Sequence, residues 1–113
     1  MIQSENRLKK RKQFNYLFKN GRHLSDEFLS IIYLPVKAKN FKVGYSVSKK
    51  VGKAVVRNKT KRRLKECVLS YSDKIRNSYY IVFVPKPKIV ELSFLEIKQE
   101  VYKLLSMAKL LNE

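Results

Sequence analysis

The sequence predicts an α+β fold in which helices pack against one sheet. Three observations carry this. Residues 41–48 alternate, with Phe41, Val43, Tyr45 and Val47 on one face and Lys42, Gly44, Ser46 and Ser48 on the other. Residues 79–84 (Tyr-Tyr-Ile-Val-Phe-Val) form an unbroken apolar run that Pro85 and Pro87 end. Beyond them Phe94, Ile97, Val101, Leu104, Leu105, Ala108 and Leu111 recur at helical spacing behind Ser93-x-x-Glu96, the sequence of a capping box.

Taken in order, a first helix is expected from about Leu8 to Asn20. Phe14 and Phe18 share one of its faces with Leu17 beside them, and Gly21 can end it in the left-handed conformation. Residues 27–34 are β-prone up to Pro35, and residues 36–40 make a short turn. With the alternating run after it, this segment reads as an antiparallel hairpin. A second helix is expected from about Ala54 to Tyr71, then the strand at 79–84, then the third helix. No internal repeat is present.

At 113 residues the chain reads as a single domain, 1–113, with residues 1–6 as a flexible tail. A hydrophobic fraction of 44% permits a real core, which separates this chain from disordered basic tails. The longest apolar stretch, 28–36, is interrupted by Ser30 and Pro35 and falls far short of the roughly 18 residues of a membrane span. The single cysteine, Cys67, excludes an internal disulfide and multi-cysteine metal sites, and it falls where a small core residue is expected. With no apolar segment resembling a secretory signal, the expected compartment is the cytoplasm.

The net charge of +17 is unevenly placed: residues 1–65 hold 19 Lys and Arg against 3 acids, and residues 66–113 hold 7 against 6. That asymmetry suits a polyanionic partner, nucleic acid first and an anionic membrane surface second. The middle helix favours nucleic acid. Arg57, Asn58, Lys61, Arg62 and Lys65 fall within an arc of about 140° at 100° per residue. Val56, Thr60, Leu64, Cys67, Val68 and Tyr71 gather on the other side. Solvated helical faces usually intersperse Glu with Lys, yet no acid lies between Glu27 and Glu66. The apolar arc is narrow and needed for the core, which disfavours insertion into a membrane.

The run Val-Gly-Lys-Ala-Val-Val-Arg-Asn-Lys-Thr-Lys-Arg-Arg-Leu-Lys-Glu, residues 51–66, resembles the signature of the bacterial ribonuclease P protein subunit. So do Gly44-x-Ser46-Val47-Ser48-Lys49-Lys50 and Leu8-Lys9-Lys10 followed by Phe14-x-x-x-Phe18-x-x-Gly21, over roughly residues 7–110. That family's motif is Arg-Asn-Arg, preceded by Gly-Asn-Ala-Val. Here Lys53 replaces the Asn, Lys59 the second Arg, and Lys65 a frequent Arg. Each substitution keeps or adds positive charge, but lysine lacks the planar fork with which arginine grips phosphate or guanine.

The resemblance implies a ribosomal-protein-like fold: a single four-stranded sheet with three helices in the order α-β-β-β-α-β-α and a left-handed β-α-β crossover around the basic helix. General handedness rules favour the right-handed form in about 98% of cases. It implies a subunit of a ribonucleoprotein that removes the 5′ leader of precursor tRNA. The catalytic RNA would carry the active site, and Mg²⁺ would be bound mainly by RNA and substrate. Arg57, Asn58, Lys59, Lys61, Arg62 and Lys65, with Lys49, Lys50 and Lys53, would bind that RNA, one protein per RNA. Phe14, Phe18 and Tyr33 would line a leader cleft between the first helix and the sheet, where aromatics can stack on bases of any sequence. On residue pattern alone, core packing is the favoured reading of Phe14 and Phe18, because Phe at i, i+4 on a helix usually is core.

The inventory of reactive groups argues against a nuclease site in the chain itself. The basic half offers only Glu5, Asp26 and Glu27 as carboxylates, and His23 is the one histidine. Metal-dependent hydrolysis needs converging carboxylates, and metal-free RNA cleavage needs an acid and a base. No protein catalytic or metal-ligating residue is therefore expected. A structural ribosomal RNA-binding protein explains charge and size equally well, but not the 44–66 signature.

Overall fold

The computed structural model describes residues 7–112, so the tail expected at 1–6 lies outside the described residues. The elements are α1 (Arg11–Asn20), β1 (Arg22–Ser25), β2 (Leu29–Pro35), β3 (Lys42–Tyr45), α2 (Ala54–Leu69), β4 (Tyr79–Pro85) and α3 (Phe94–Met107). One four-stranded sheet has the order β1-β2-β4-β3. The helix and strand order is the one the resemblance implies.

The expected pairing of β2 with β3 is not made. β4 lies between them, antiparallel to β2 (Ile31 opposite Phe83) and parallel to β3 (Gly44 opposite Val82). Composition gives the reason: β4 is apolar on both faces, as a central strand must be, and Ile81, Val82 and Phe83 are completely buried. The hairpin is instead β1 with β2. β1 (Arg-His-Leu-Ser) has too little apolar character to stand out in the sequence, and Asp26 shapes the connection. Its Oδ1 accepts the amides of Phe28 at 2.9 Å and Leu29 at 3.0 Å, the local bonding that makes Asp a turn former.

Residues alternate between two cores. Leu29, Ile31, Val43, Ile81 and Phe83 face α2 and α3, meeting Leu64, Cys67, Val68, Ile97, Val101, Leu104 and Leu105. Ile32 and Val82 face α1, meeting Leu17 and Leu8. The hand of the β3-α2-β4 crossover follows from this alternation. The Phe83 carbonyl accepts the Ser46 amide at 3.0 Å and so points toward the β3 side, while its side chain points at the α2–α3 layer. For an L-residue these two directions place β3 to the right of β4, seen from that layer with β4 running upward. The chain thus passes from right to left in front of the sheet, which is a left-handed crossover.

The helices follow their sequence signals closely. In the α3 capping box, Ser93 Oγ accepts the Glu96 amide at 3.2 Å and Glu96 Oε1 accepts the Ser93 amide at 2.9 Å. α1 begins three residues later than expected, because Leu8 donates its amide to the Val43 carbonyl at 3.0 Å and extends the β3 edge instead of joining the helix. Gly21 is extended (φ −76°, ψ 165°), not left-handed. Its glycine character serves a close approach: a Cβ there would lie 2.7 Å from Ile32 Cγ2 and from the Leu17 carbonyl oxygen.

Candidate nucleic-acid interface

α2 buries Thr60, Leu64, Cys67 and Val68 and turns its other side to solvent. Thr60 is accepted on the buried face because its hydroxyl donates to the Val56 carbonyl at 2.9 Å. Val56, expected in the core, stays 36% exposed, since it lies in the first turn near the layer's rim. Asn58, Lys59, Lys61, Arg62 and Lys65 are exposed, as are Lys49 and Lys50 in the preceding 3-10 turn and Lys53 at the helix N-cap. Gly52, at φ 154°, adopts a backbone that other residues rarely take and lets the chain turn into α2. Its carbonyl accepts Arg57 Nε at 3.2 Å, which holds the guanidinium in place and leaves its two terminal nitrogens available.

The cationic side of α2 opens on a cleft of about 410 Å³. Lys61, Arg62 and Lys65, with Glu66 and Leu69, form one wall, Arg7 and Leu8 another, and Val43, Gly44 and Tyr45 of β3 lie beneath, with Phe14 closing the far side. Burial, followed by the charges of Lys61 and Arg7, pushes the Lys65 ammonium below its usual lysine value. An anion in the cleft would relieve that crowding. Gly44 lets Phe14 close on β3, because a Cβ there would sit 2.5 Å from Phe14 Cζ. The Tyr45 ring stacks on Phe83 (centroids 5.9 Å apart), and its buried hydroxyl has no hydrogen-bond partner. Lys49, Lys50, Lys53, Arg57, Asn58 and Lys59 are not among the cleft-lining residues, and Lys59 falls beyond Arg62 on the helix surface, about 200° from Arg57.

The three aromatics assigned to a leader cleft are not brought together. Phe14 packs on the α1 face of the sheet, and Phe18, one turn on, is 40% exposed. Tyr33 packs with the α2–α3 core on the opposite face. The alternation of β2 decides this, since Ile32 and Leu34 take the α1 side. Because Leu29, Ile31 and Ile32 are all apolar, the strand's phase cannot be read without its partner. The aromatic that β4 does present on the α1 face is Tyr80, with Lys42 Nζ 6.0 Å from its ring centroid. Arg7, bridged to Val43 at the β3 edge, also lines the cleft, and the residue pattern carries no signal of it.

Asp26 and Glu27, the carboxylates of the basic half among the described residues, are engaged structurally. Burial would raise the Asp26 carboxyl, but hydrogen bonds with Glu100, Lys103 and the Phe28 and Leu29 amides hold it well below the usual carboxylate range. Lys103 Nζ lies 2.7 Å from Asp26 Oδ2, and Lys88 Nζ lies 3.0 Å from Glu27 Oε2. Burial pushes the Cys67 thiol up to about 11, so it is a packing residue and a poor nucleophile. His23 is exposed on β1. Among the described residues, no three His, Cys, Asp or Glu side chains gather to hold a metal. No helix among them is long and apolar enough to cross a membrane.

The family model described as Ribonuclease P matches residues 2–109. The ribonuclease P protein component of Caldanaerobacter subterraneus is 38% identical over 107 residues, covering 95% of this chain and 92% of that one. The chain belongs to the ribonuclease P protein family. The family's component from Nitratiruptor is 39% identical over 102 residues, 90% of this chain and 91% of that protein. Among solved structures of the family, the Staphylococcus aureus RNase P protein superposes with a TM-score of 0.87 at 29% identity, covering 95% of this chain and 98% of that one. The Thermotoga maritima RNase P protein superposes with a TM-score of 0.80 at 29% identity, covering 88% and 94%.

Proposed function

We propose that this chain binds the catalytic RNA of ribonuclease P through α2 and the 5′ leader of precursor tRNA along α1. It thereby assists RNA-catalysed removal of the leader in the cytoplasm, with one protein per RNA. The single observation that carries this is the cationic face of α2, where Lys61, Arg62 and Lys65 line the cleft floored by β3 and Arg57 and Asn58 extend the same arc. Mg²⁺, held by the RNA and the substrate, would supply the activated water and stabilise charge on the cleaved phosphodiester. The chain's own residues dock and orient. Cations on α2 neutralise phosphates of the catalytic RNA, and aromatics beside α1 hold unpaired leader bases, so the scissile bond is presented in one register.

Reconstitution tests the reading. Purified protein alone leaves precursor tRNA intact and restores cleavage by the catalytic RNA at low Mg²⁺. Cleavage by the protein alone would overturn it. Within the holoenzyme, Phe18→Ala lowers affinity for precursor relative to mature tRNA by about fivefold or more, the worth of one stacked base. Tyr33→Ala, on the opposite face, leaves that ratio unchanged. The reverse result would move the leader to the α2–α3 face.

A further inference from the structure

The cations of α2 leave much of the basic half unexplained. Residues 7–25 contain seven Lys and Arg and no carboxylate. On α1, Arg11, Asn15, Lys19, Lys12 and Tyr16 fall in that order around an arc of about 140°. All five are exposed, while Leu17 is buried and Phe14 packs inward. Tyr16 is 58% exposed at one border of the arc, and Phe18 is 40% exposed at the other. The ion pairs formed among the described residues all lie elsewhere, on Asp26, Glu27 and Glu100, so Arg11, Lys12 and Lys19 have no acidic partner among them. Cations and an amide flanked by exposed aromatics are the elements of a sequence-tolerant single-strand surface, on which phosphates meet charge and bases meet rings. A merely solvated face would not exclude acids over so long a stretch.

We infer that the outer face of α1 is a second single-strand RNA surface, which carries the part of the 5′ leader that has passed Phe18. This rests on the leader reading above and extends it: the strand leaves the sheet side of α1 at Phe18 and crosses the arc that Arg11, Asn15, Lys19 and Lys12 span, to its far border at Tyr16. Lys12 and Lys19 stand two turns apart, about 10 Å along the axis, and so meet separate phosphates.

Affinity of the reconstituted holoenzyme for precursors with leaders of about 4 and about 16 nucleotides tests this. The wild-type protein binds the long leader more tightly. Tyr16→Ala reduces that advantage about fivefold or more. The pair Lys12→Ala and Lys19→Ala lowers the salt slope for the long leader by about 1.4, at about 0.7 per single-strand phosphate. Short-leader affinity stays unchanged in both variants. The substituted side chains are exposed, and an unchanged circular dichroism spectrum and Tm verify that the fold persists. Equal weakening for short leader, long leader and mature tRNA would assign the face to the catalytic RNA and overturn the proposal. No change at all would make it a solvated face and overturn it too. If the wild-type holoenzyme does not prefer precursor to mature tRNA, the leader reading itself fails; if it does, and the long leader brings no gain, the α1 surface alone falls.

Discussion

Replacing Arg57 and Arg62 together by alanine weakens binding of the catalytic RNA by about 100-fold or more, since each charge-assisted hydrogen bond is worth about 1.5–3 kcal/mol. The dependence of affinity on salt flattens in parallel. Each lost phosphate contact removes about 0.7–0.9 from the slope of log affinity against log salt, so the pair removes about 1.4–1.8. The two arginines merit this because they are placed differently. Arg57 is held by its Nε bond to the Gly52 carbonyl, which reduces the side-chain entropy lost when its terminal nitrogens meet phosphate. Arg62 is exposed on the cleft wall beside Lys61 and Lys65. Neither contributes to the buried face of Thr60, Leu64, Cys67 and Val68, so the double variant keeps its fold. Its Tm stays the same or rises slightly as self-repulsion falls. Arg62→Lys separates charge from geometry: it restores the salt slope but not the full affinity, because an ammonium cannot bind bidentately. An unchanged slope in the double variant would remove the arc from the interface.

How much of this was legible in the sequence depends on whether a feature is set by one segment or by two. The cationic arc of α2 lies on a single helix, so 3.6-residue periodicity specified its polar side and, Val56 excepted, its buried side, down to Leu64 and Cys67. The α3 capping box is equally local. Strand pairing is not local. Whether β2 meets β3 or β4 depends on which strand can be buried on both sides, and the expected hairpin gave way to the more apolar β4. The same non-locality misplaced Tyr33, whose face is fixed by the register of Tyr33 against Ile81 and not by its own neighbours. The left-handed crossover contradicts the general rule and came only through family resemblance. Gly21 and Gly44 stand between these cases. Each announces a constraint in the sequence, but only the fold reveals that the constraint is a neighbouring element (Ile32 for one, Phe14 for the other) and not backbone handedness.

Phe83→Ala should destabilise the protein by about 3–5 kcal/mol, the range for emptying a buried phenylalanine site. The residue is completely buried at the centre of β4, opposite Ile31 on one side and Tyr45 on the other, and it stacks with the Tyr45 ring. Small domains are stable by about 5–15 kcal/mol, and a charge of +17 subtracts from that margin through self-repulsion, so the variant loses a large share of what it has. Urea unfolding followed by circular dichroism reads this as a lower midpoint with an unchanged slope. The charge that lowers the margin also provides a way to restore it. A polyanion such as polyphosphate, bound by the folded cationic faces in preference to the unfolded chain, returns about 2.7 kcal/mol at 100 times its Kd. The midpoint of Phe83→Ala therefore rises with polyphosphate, and rises less when Arg57 and Arg62 are also alanine, because fewer cations reward the folded arrangement. An unchanged urea midpoint in Phe83→Ala would contradict the central place of β4. A polyphosphate shift that ignores the two arginines would show that anions bind this chain through general charge and not through the arc that α2 presents.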